Sequence, residues 1–363
     1  MPVNFKLGHR PTLDGLRGVA VLMVMLSHTD LTWLSTSGGF VGVHVFFVLS
    51  GFLITSLLLE EHGKTGTIRI GAFYARRALR LLPAIAVLMI AALVVAWASG
   101  SSSELKDVGT SVVMMLTYST NWFRISGQFP SESLGHAWTL AVEEHFYIAW
   151  PLVLLGLLRI LGRRRIMAVV AAAIVGVAAW RIYLLLSTSD LNRIYFGSDT
   201  NADALLVGVV VALAASLGLV PNGRPALRIL HAAGAALVLL LPVALLTLVR
   251  YGRVCWWLDV GGLLAIELGV GILIVALLAT PLRTLFESRP LVWTGRVSYG
   301  LYLWHVPMGF WVQRYVGSGP WACVAWIVAT FSVTALSFYA IERPILGFKD
   351  RFVPVLAVQE KLA

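Results

Sequence analysis

Residues 81–98 read LLPAIAVLMIAALVVAWA and contain no charged side chain. A helix needs about 20 predominantly apolar residues to cross the roughly 30 Å hydrocarbon core of a bilayer. The stretches 169–186, 230–249 and 261–279 approach the same length. The sequence therefore predicts several transmembrane helices.

The composition of the whole chain agrees with a membrane protein. Of its 363 residues, 58% are hydrophobic and 13% are charged, whereas soluble domains carry about 25% charged residues. The net charge of +10 is spread over short segments between the apolar runs, which is the positive-inside pattern. We therefore expect a multi-pass cell-membrane protein that contacts membrane lipid and no nucleic acid. The Ala-, Val- and Arg-rich composition is typical of a high-GC bacterium.

Placing the basic segments in the cytoplasm predicts an all-α bundle of about ten transmembrane helices with both termini cytoplasmic. Counting 108–123 as a further crossing would put Arg163, Arg164 and Arg165 outside, so this stretch is predicted to be re-entrant or interfacial. The predicted crossings lie near 15–35, 40–59, 81–98, 138–161, 166–186, 199–219, 228–249, 257–280, 297–316 and 320–345.

The chain is expected to form one integral-membrane domain, 1–363, in which 347–363 is a short cytoplasmic tail. Cys255 and Cys323 lie at unrelated places without metal-ligand spacing. Neither a disulfide, nor a metal site, nor a bound cofactor is predicted.

Titratable side chains inside the first predicted span are candidate functional groups, because burying them in a bilayer is costly. Asp14, Arg17 and His28 lie there, and Arg17 and His28 are about three helical turns, or roughly 16 Å, apart on one face. An imidazole can take a proton from a hydroxyl near neutral pH, and a guanidinium can hold a phosphate or carboxylate. The alternative is a hydrogen-bonded buried histidine and an arginine that reaches the membrane surface.

Two further segments place charges at the ends of spans. Arg77 and Arg80 are three residues apart, which would aim both guanidinium groups at a polyphosphate, although positive-inside anchoring also explains them. The segment 136–147, HAWTLAVEEHFY, contains Glu143 and Glu144. Burial favours a retained or shared proton, so one of the two glutamates is predicted to orient His28 or to handle a proton.

Polar residues also open the sixth and ninth spans. Asp199 and Asp203 are predicted to lie on one helical face, where they would bind a cation or sugar hydroxyls, unless they only complement the helix dipole. Ser298, Tyr302 and His305 fall on one broad face. An aromatic belt at the membrane surface would explain the tyrosine but not the histidine.

These segments together resemble the membrane-bound acyltransferase family 3, whose members acylate sugars of surface polysaccharides, glycolipids, nodulation factors and macrolide antibiotics. The resemblance spans nearly the whole chain, in the family's order and rough spacing. The blocks that carry it are 13–18 (LDGLRG) followed by His28, 42–54 (GVHVFFVLSGFLI), 73–83, 136–147, 198–208, 298–307 and 341–344 (IERP).

The resemblance implies a ten-helix bundle with a re-entrant segment between the third and fourth spans. It also implies transfer of an acyl group, most simply acetyl from acetyl-CoA, to a hydroxyl of a carbohydrate, glycolipid or macrolide-type acceptor. The expected roles are a base at His28 supported by Glu143 and Glu144, donor binding by Arg17, Arg77, Arg80 and Asp14, and acceptor or supporting contacts by Tyr147, Trp138, Asp203, Asp199, Ser298, Tyr302 and His305.

Two departures from the family are visible. Asn201 stands where the family commonly has an arginine. Many relatives that modify exported glycans carry a fused extracytoplasmic domain, which is not recognisable here, so a smaller acceptor or transfer completed in the membrane is expected.

Two other functions compete with the acyltransferase. A transporter or flippase of a glycan or glycolipid would use the same polar cavity without chemistry, but no half-repeats are visible. A degenerate family member would serve only as an interaction subunit, against which the retained His28, Glu143, Glu144 and His305 argue. Gly-x-Ser-x-Gly, Walker and His-Glu-x-x-His motifs do not occur, so a covalent serine mechanism is not indicated.

Overall fold

The structure is a computed structural model that describes residues 8–29, 38–128, 130–188, 190–248 and 258–348. Within these ranges the chain is all-helical and has no β-strand. The α-helices are α1 Pro11–Ser27, α2 Gly39–Thr65, α3 Ile70–Ala98, α4 Ser102–Leu116, α5 Thr120–Ile125, α6 Trp138–Ile160, α7 Arg163–Ser187, α8 Leu191–Phe196, α9 Ala202–Ser216, α10 Arg224–Leu248, α11 Leu263–Ala279, α12 Arg289–Arg296, α13 Ser298–Tyr315, α14 Pro320–Ser337 and α15 Arg343–Leu346. Two 3₁₀-helices, Glu132–Ala137 and Pro281–Phe286, and two π-helices, Leu258–Gly262 and Phe338–Glu342, complete the described elements.

Six of the described helical segments are long and apolar enough to cross a membrane. They are Gly39–Thr65, Ile70–Ala98, Glu132–Ile160, Arg163–Ser187, Val260–Ala279 and Pro320–Leu346. The all-helical fold and the multi-pass character are therefore confirmed. The count of ten crossings and the cytoplasmic position of both termini stay predictions.

Several helix bounds differ from the predicted crossings. The first helix ends at Ser27, and residues 30–35 of that crossing lie outside the described residues. Helix α3 begins at Ile70, so Arg77 and Arg80 lie inside it, and α9 is a short apolar helix of 15 residues. Cys255, the start of the crossing 257–280 and residues 349–363 lie outside the described part of the chain.

The predicted re-entrant stretch 108–123 falls on α4 and α5, which a turn at 117–119 separates. Ser101 caps α4 by accepting a hydrogen bond from the Glu104 amide at 3.2 Å. Tyr118 in the turn has φ of 52°. The break between two short helices agrees with a segment that does not cross, but its half-insertion stays a prediction.

Glycines allow two helix pairs to approach closely, and both pairs support the site. A Cβ on Gly295 of α12 would lie 1.7 Å from Asp14 O in α1, and one on Gly51 of α2 would lie 1.9 Å from Leu205 O in α9. Small residues commonly permit such close packing of membrane helices. These contacts pack α1 against α12 and α2 against α9, and they explain Gly51 of the sequence block 42–54 quoted above.

Large apolar side chains also cover the outside of the bundle. Ile90, Trp97, Leu186 and Trp321 are 62%, 72%, 81% and 84% exposed. Exposed apolar surface on this scale is typical of a protein that meets lipid.

Candidate active site

Three histidines from different parts of the chain meet at one end of the bundle. His28 follows the last residue of α1, His136 lies in the 3₁₀-helix Glu132–Ala137, and His305 lies in α13. The His305 ring centroid is 4.9 Å from that of His28 and 5.3 Å from that of His136. His136 and His305 are buried and His28 is exposed, so a molecule that approaches this histidine cluster can reach His28.

Each imidazole bonds to a backbone carbonyl through one ring nitrogen. The contacts are His28 Nδ1 to Val24 O (2.9 Å), His136 Nε2 to Leu303 O (3.1 Å) and His305 Nδ1 to Tyr302 O (2.7 Å). Because a carbonyl can only accept, each of these nitrogens donates a proton. In a neutral ring the opposite nitrogen then bears a lone pair, which is the form that a general base needs.

Two of the opposite nitrogens have no hydrogen bond within the described chain. These are His136 Nδ1 and His305 Nε2, and both are buried. Most buried polar atoms in proteins are paired. The histidine cluster therefore offers polar contacts that a substrate could use.

Tyr302 and its neighbours hold the histidine cluster in place. The Tyr302 hydroxyl donates to His136 O at 2.9 Å and lies 2.5 Å from Thr139 Oγ1. Trp326 Nε1 donates to His305 O at 2.7 Å. The ring centroids of Tyr302 and His305 are 5.3 Å apart, whereas Ser298 is buried at the start of α13, roughly 10 Å along the helix axis from His305.

A second polar cluster lies towards the start of α1. Arg77 donates to Glu144 Oε1 at 2.9 Å, and its guanidinium carbon lies 3.0 Å from the centroid of the Tyr147 ring. Ser50 donates to Glu143 Oε1 at 2.8 Å. The glutamates therefore bond to other side chains and not to His28, whose imidazole is oriented by Val24 O. This corrects the expectation that a glutamate orients His28, while a proton-handling role for Glu143 or Glu144 stays a prediction.

Arg17 and Arg80 complete this arginine cluster. Arg17, Arg77 and Arg80 all interact electrostatically with Glu143, so the structure brings the predicted donor-binding arginines together. Within the described residues neither Arg17 nor Arg80 forms an ion pair, Arg17 Nε is buried without a hydrogen bond, and Arg80 is exposed. Two cationic groups at this cluster are therefore available to an anionic ligand.

Two helices connect the arginine cluster with the histidine cluster. Thr139 and Glu143 are one turn apart on α6, and Thr139 contacts Tyr302 of the histidine cluster. On α13, Tyr299 lies one turn before Tyr302 and interacts electrostatically with Glu144. Polar side chains of α6 and α13 thus link the two clusters along the length of α1.

The remaining predicted residues lie elsewhere or have structural partners. Asp14 contacts His9 Nε2 at 3.2 Å and Arg296 Nε at 3.8 Å, next to the arginine cluster. Trp138 is buried, with its ring centroid 5.1 Å from those of Tyr195 and Phe196.

The prediction that Asp199 and Asp203 share a helical face is wrong. Helix α9 begins at Ala202, so Asp199 precedes it. Asp199 pairs with Arg193, while Asp203 pairs with the buried Arg181 at 2.7 Å. Each carboxylate is therefore held by its own arginine. Asn201, the departure from the family, donates to Gly197 O at 2.8 Å, which fixes the loop before α9.

Sequence reasoning missed several buried polar residues. It gave no role to His136, to Ser50 as a partner of Glu143, or to the pair His44 Nδ1–Glu267 Oε1 at 2.9 Å. Glu267 sits within the apolar run 261–279, and its position at membrane depth was the available signal. In the part of the chain that the structure describes, no group of three or more His, Cys, Asp or Glu side chains is placed to hold a metal ion.

Comparison with known proteins identifies the class of this chain. The model of a family described as an acyltransferase domain, Acyl_transf_3, matches residues 10–342. The chain therefore belongs to this acyltransferase family. No solved structure matches it.

Curated relatives agree with the family. The chain is 35% identical to a Bacillus subtilis protein named "Putative peptidoglycan O-acetyltransferase YrhL", over 94% of this chain and 56% of that protein. It is 33% identical to the peptidoglycan O-acetyltransferase OatA of Listeria monocytogenes, over 94% of this chain and 58% of OatA. The chain thus spans little more than half the length of these relatives.

Proposed function

We propose that this chain is a membrane-bound O-acyltransferase that moves an acyl group, acetyl in the simplest case, from acyl-CoA to a hydroxyl of a glycan. The observation that carries the proposal is the position of the two polar clusters. Arg17 and Arg80, which form no ion pair within the described residues, lie with Arg77 at one end of α1, and three imidazoles meet at the other end.

The arginine cluster suits the phosphates of the donor. A guanidinium makes directed, charge-assisted hydrogen bonds to phosphate oxygens. Acyl-CoA carries its thioester at the end of a long pantetheine arm, so its phosphates and its reacting carbon need separate sites. Arg17 and His28 are separated by roughly 16 Å along the helix, which provides this separation.

The histidine cluster suits the transfer step. His28 Nε2 takes the proton of the acceptor hydroxyl, and the oxygen attacks the thioester carbonyl carbon. The carbon–sulfur bond breaks, and the leaving thiolate takes the proton back from the imidazolium. The products are the ester and coenzyme A, and no other reactant is needed.

A glycan is the acceptor class that the relatives suggest. OatA is named for its action on peptidoglycan. We extend only the chemistry of that acceptor to this chain, a sugar hydroxyl that becomes an ester.

The proposal is tested with the full chain purified in detergent, acetyl-CoA labelled in the acetyl group, and a soluble saccharide. Micelles enclose no compartments, so a transporter gives no signal in this assay. We expect label in the saccharide as an ester that mild alkali releases. Wild-type protein that binds acetyl-CoA and saccharide yet forms no ester with acetyl, propionyl or longer donors would overturn the proposal and favour transport.

A further inference from the structure

A cavity of about 490 Å³ opens beside the histidine cluster. It lies between the C-terminal ends of α3 and α13 and the start of α4. Two aromatic side chains, Phe310 and Trp311, and three carboxylates, Glu104, Asp107 and Glu132, contribute to its wall. Its volume falls in the range of small-molecule sites, about 300–1,000 Å³. None of these residues belongs to the two clusters of the active site.

The cavity wall carries an excess of negative charge. Glu104 is paired with the lining Arg314 at 2.8 Å, and hydrogen bonds from Ser99 and Arg314 lower the pKa of Glu104. Asp107 forms no ion pair within the described residues, and Glu132 lies only at the limit of contact with Arg124, at 4.0 Å. A cavity with three carboxylates and one lining guanidinium disfavours an anionic ligand.

A second cavity adjoins the first on the side of the 3₁₀-helix that carries His136. This smaller cavity of about 10 Å³ shares Pro130 and Ser131 with the first and reaches Gly135, the residue before His136. Thr120 lines this smaller cavity, and its hydroxyl is buried without a hydrogen bond to any described residue. On the other wall, Phe310 is five residues beyond His305, or roughly 7.5 Å along α13.

We infer that the large cavity is a glycan subsite, which binds uncharged sugar units flanking the one that is acylated at His28. The aromatic rings present flat apolar faces to the C–H side of a sugar, and the carboxylates, serines and Gln313 accept or donate hydrogen bonds to its hydroxyls. The negative wall selects a neutral saccharide chain over an anionic one. This inference rests on the proposed function, because it extends the acceptor site of the same enzyme.

Direct binding to the full chain in detergent tests the inference, with calorimetry as the readout. The probes are a neutral β-1,4-linked N-acetylglucosamine tetramer and an anionic galacturonate tetramer. We expect wild-type protein to bind the neutral tetramer at least about tenfold more tightly. Trp311→Ala should weaken that binding about tenfold, which corresponds to about 1.4 kcal/mol. The double variant D107N/E132Q should reduce the ratio between the affinities for the neutral and the anionic tetramer.

The matched control is Asp190→Asn, which neutralises a carboxylate outside the cavity and keeps the side-chain oxygen that caps α8. It should bind both probes like the wild type. Equal binding of both probes by the wild type, or unchanged binding in Trp311→Ala and D107N/E132Q, would overturn the subsite.

Donor turnover separates this inference from the proposed function. Turnover is measured with labelled acetyl-CoA. The subsite is supported if the cavity variants have a raised KM for the neutral saccharide and a normal KM for the donor. Unchanged saccharide KM in variants that still form the ester overturns the subsite alone. If saccharide binding depends on Trp311 but the wild type forms no ester, the proposed acyltransferase function alone is overturned.

Discussion

Two sets of titratable side chains lie inside the bundle and differ in how they are partnered. In the buried ion-pair network, Arg181 pairs with Asp203 and His44 pairs with Glu267, and all four side chains are less than 9% exposed. In the candidate active site, Arg80 and His28 are exposed, and neither Arg17 nor Arg80 forms an ion pair within the described residues.

The two sets therefore suit different roles, structural pairing in the network and ligand contact in the candidate active site. The ion-pair network links α2, α7, α9 and α11, where each side chain of the network bonds to another. In the candidate active site, by contrast, Arg77 pairs with Glu144, while Arg17 and Arg80 form no ion pair within the described residues. Charge at membrane depth therefore does not by itself distinguish a structural pair from a candidate substrate contact.

Breaking the ion-pair network should have the largest effect on stability. Arg181→Met leaves Asp203 buried without its partner, which costs about 3–5 kcal/mol in unfolding free energy. The measurement is thermal unfolding in detergent. The control Arg193→Gln removes the more exposed pair with Asp199 and should cost about 1 kcal/mol or less. Similar losses in both variants would remove the contrast between the network and the other ion pairs.

Removing an arginine from the candidate active site should weaken donor binding and leave the stability of the protein nearly unchanged. Arg80→Gln should raise the KM for acyl-CoA by about 10- to 100-fold, since a hydrogen bond to a charged group contributes about 1.5–3 kcal/mol. Its unfolding temperature should stay close to that of the wild type, because Arg80 has no ion pair to lose among the described residues.

Arg76→Gln is the matched control for Arg80, because Arg76 lies on the same helix and pairs with Glu61 at 3.2 Å. It should leave the donor KM nearly unchanged. Equal KM values in the two variants would mean that positive charge near the membrane, rather than the arginine cluster, attracts the donor.

The smallest effect is expected at a supporting residue. Tyr302→Phe removes the hydroxyl that donates to His136 O, and one such bond contributes about 1 kcal/mol, so kcat should fall several-fold with little change in either KM. The control Tyr339→Phe removes an exposed hydroxyl that accepts from Trp293 and should leave kcat unchanged. A larger change in KM than in kcat would place Tyr302 in substrate binding.

The helical fold and part of the site could be predicted from the sequence. Long apolar runs identify membrane helices because the bilayer demands them. His28 and Arg17 could be found because titratable groups are costly inside a span, whereas Arg77 and Arg80 were singled out by their three-residue spacing. The partners of buried polar groups could not be predicted, because they lie far apart in the sequence. Glu267 and His44, for example, are 223 positions apart.

Local geometry limited the prediction in two other places. The face shared by Asp199 and Asp203 depended on where α9 begins, and helix starts are poorly determined by composition. His136 lies in a 3₁₀-helix, where no α-helical spacing relates it to His28 or His305. The third member of the histidine cluster therefore emerged only from the packing of the chain.

The most direct test of the account is the rate of ester formation by His28→Ala, compared with His62→Ala at equal amounts of folded protein. His62 lies in the last turn of α2, outside the histidine cluster. We predict a fall of about 10²- to 10⁴-fold for His28→Ala, as expected when a general base is lost, and a near wild-type rate for His62→Ala. Folded His28→Ala that forms the ester as fast as His62→Ala would contradict the central claim.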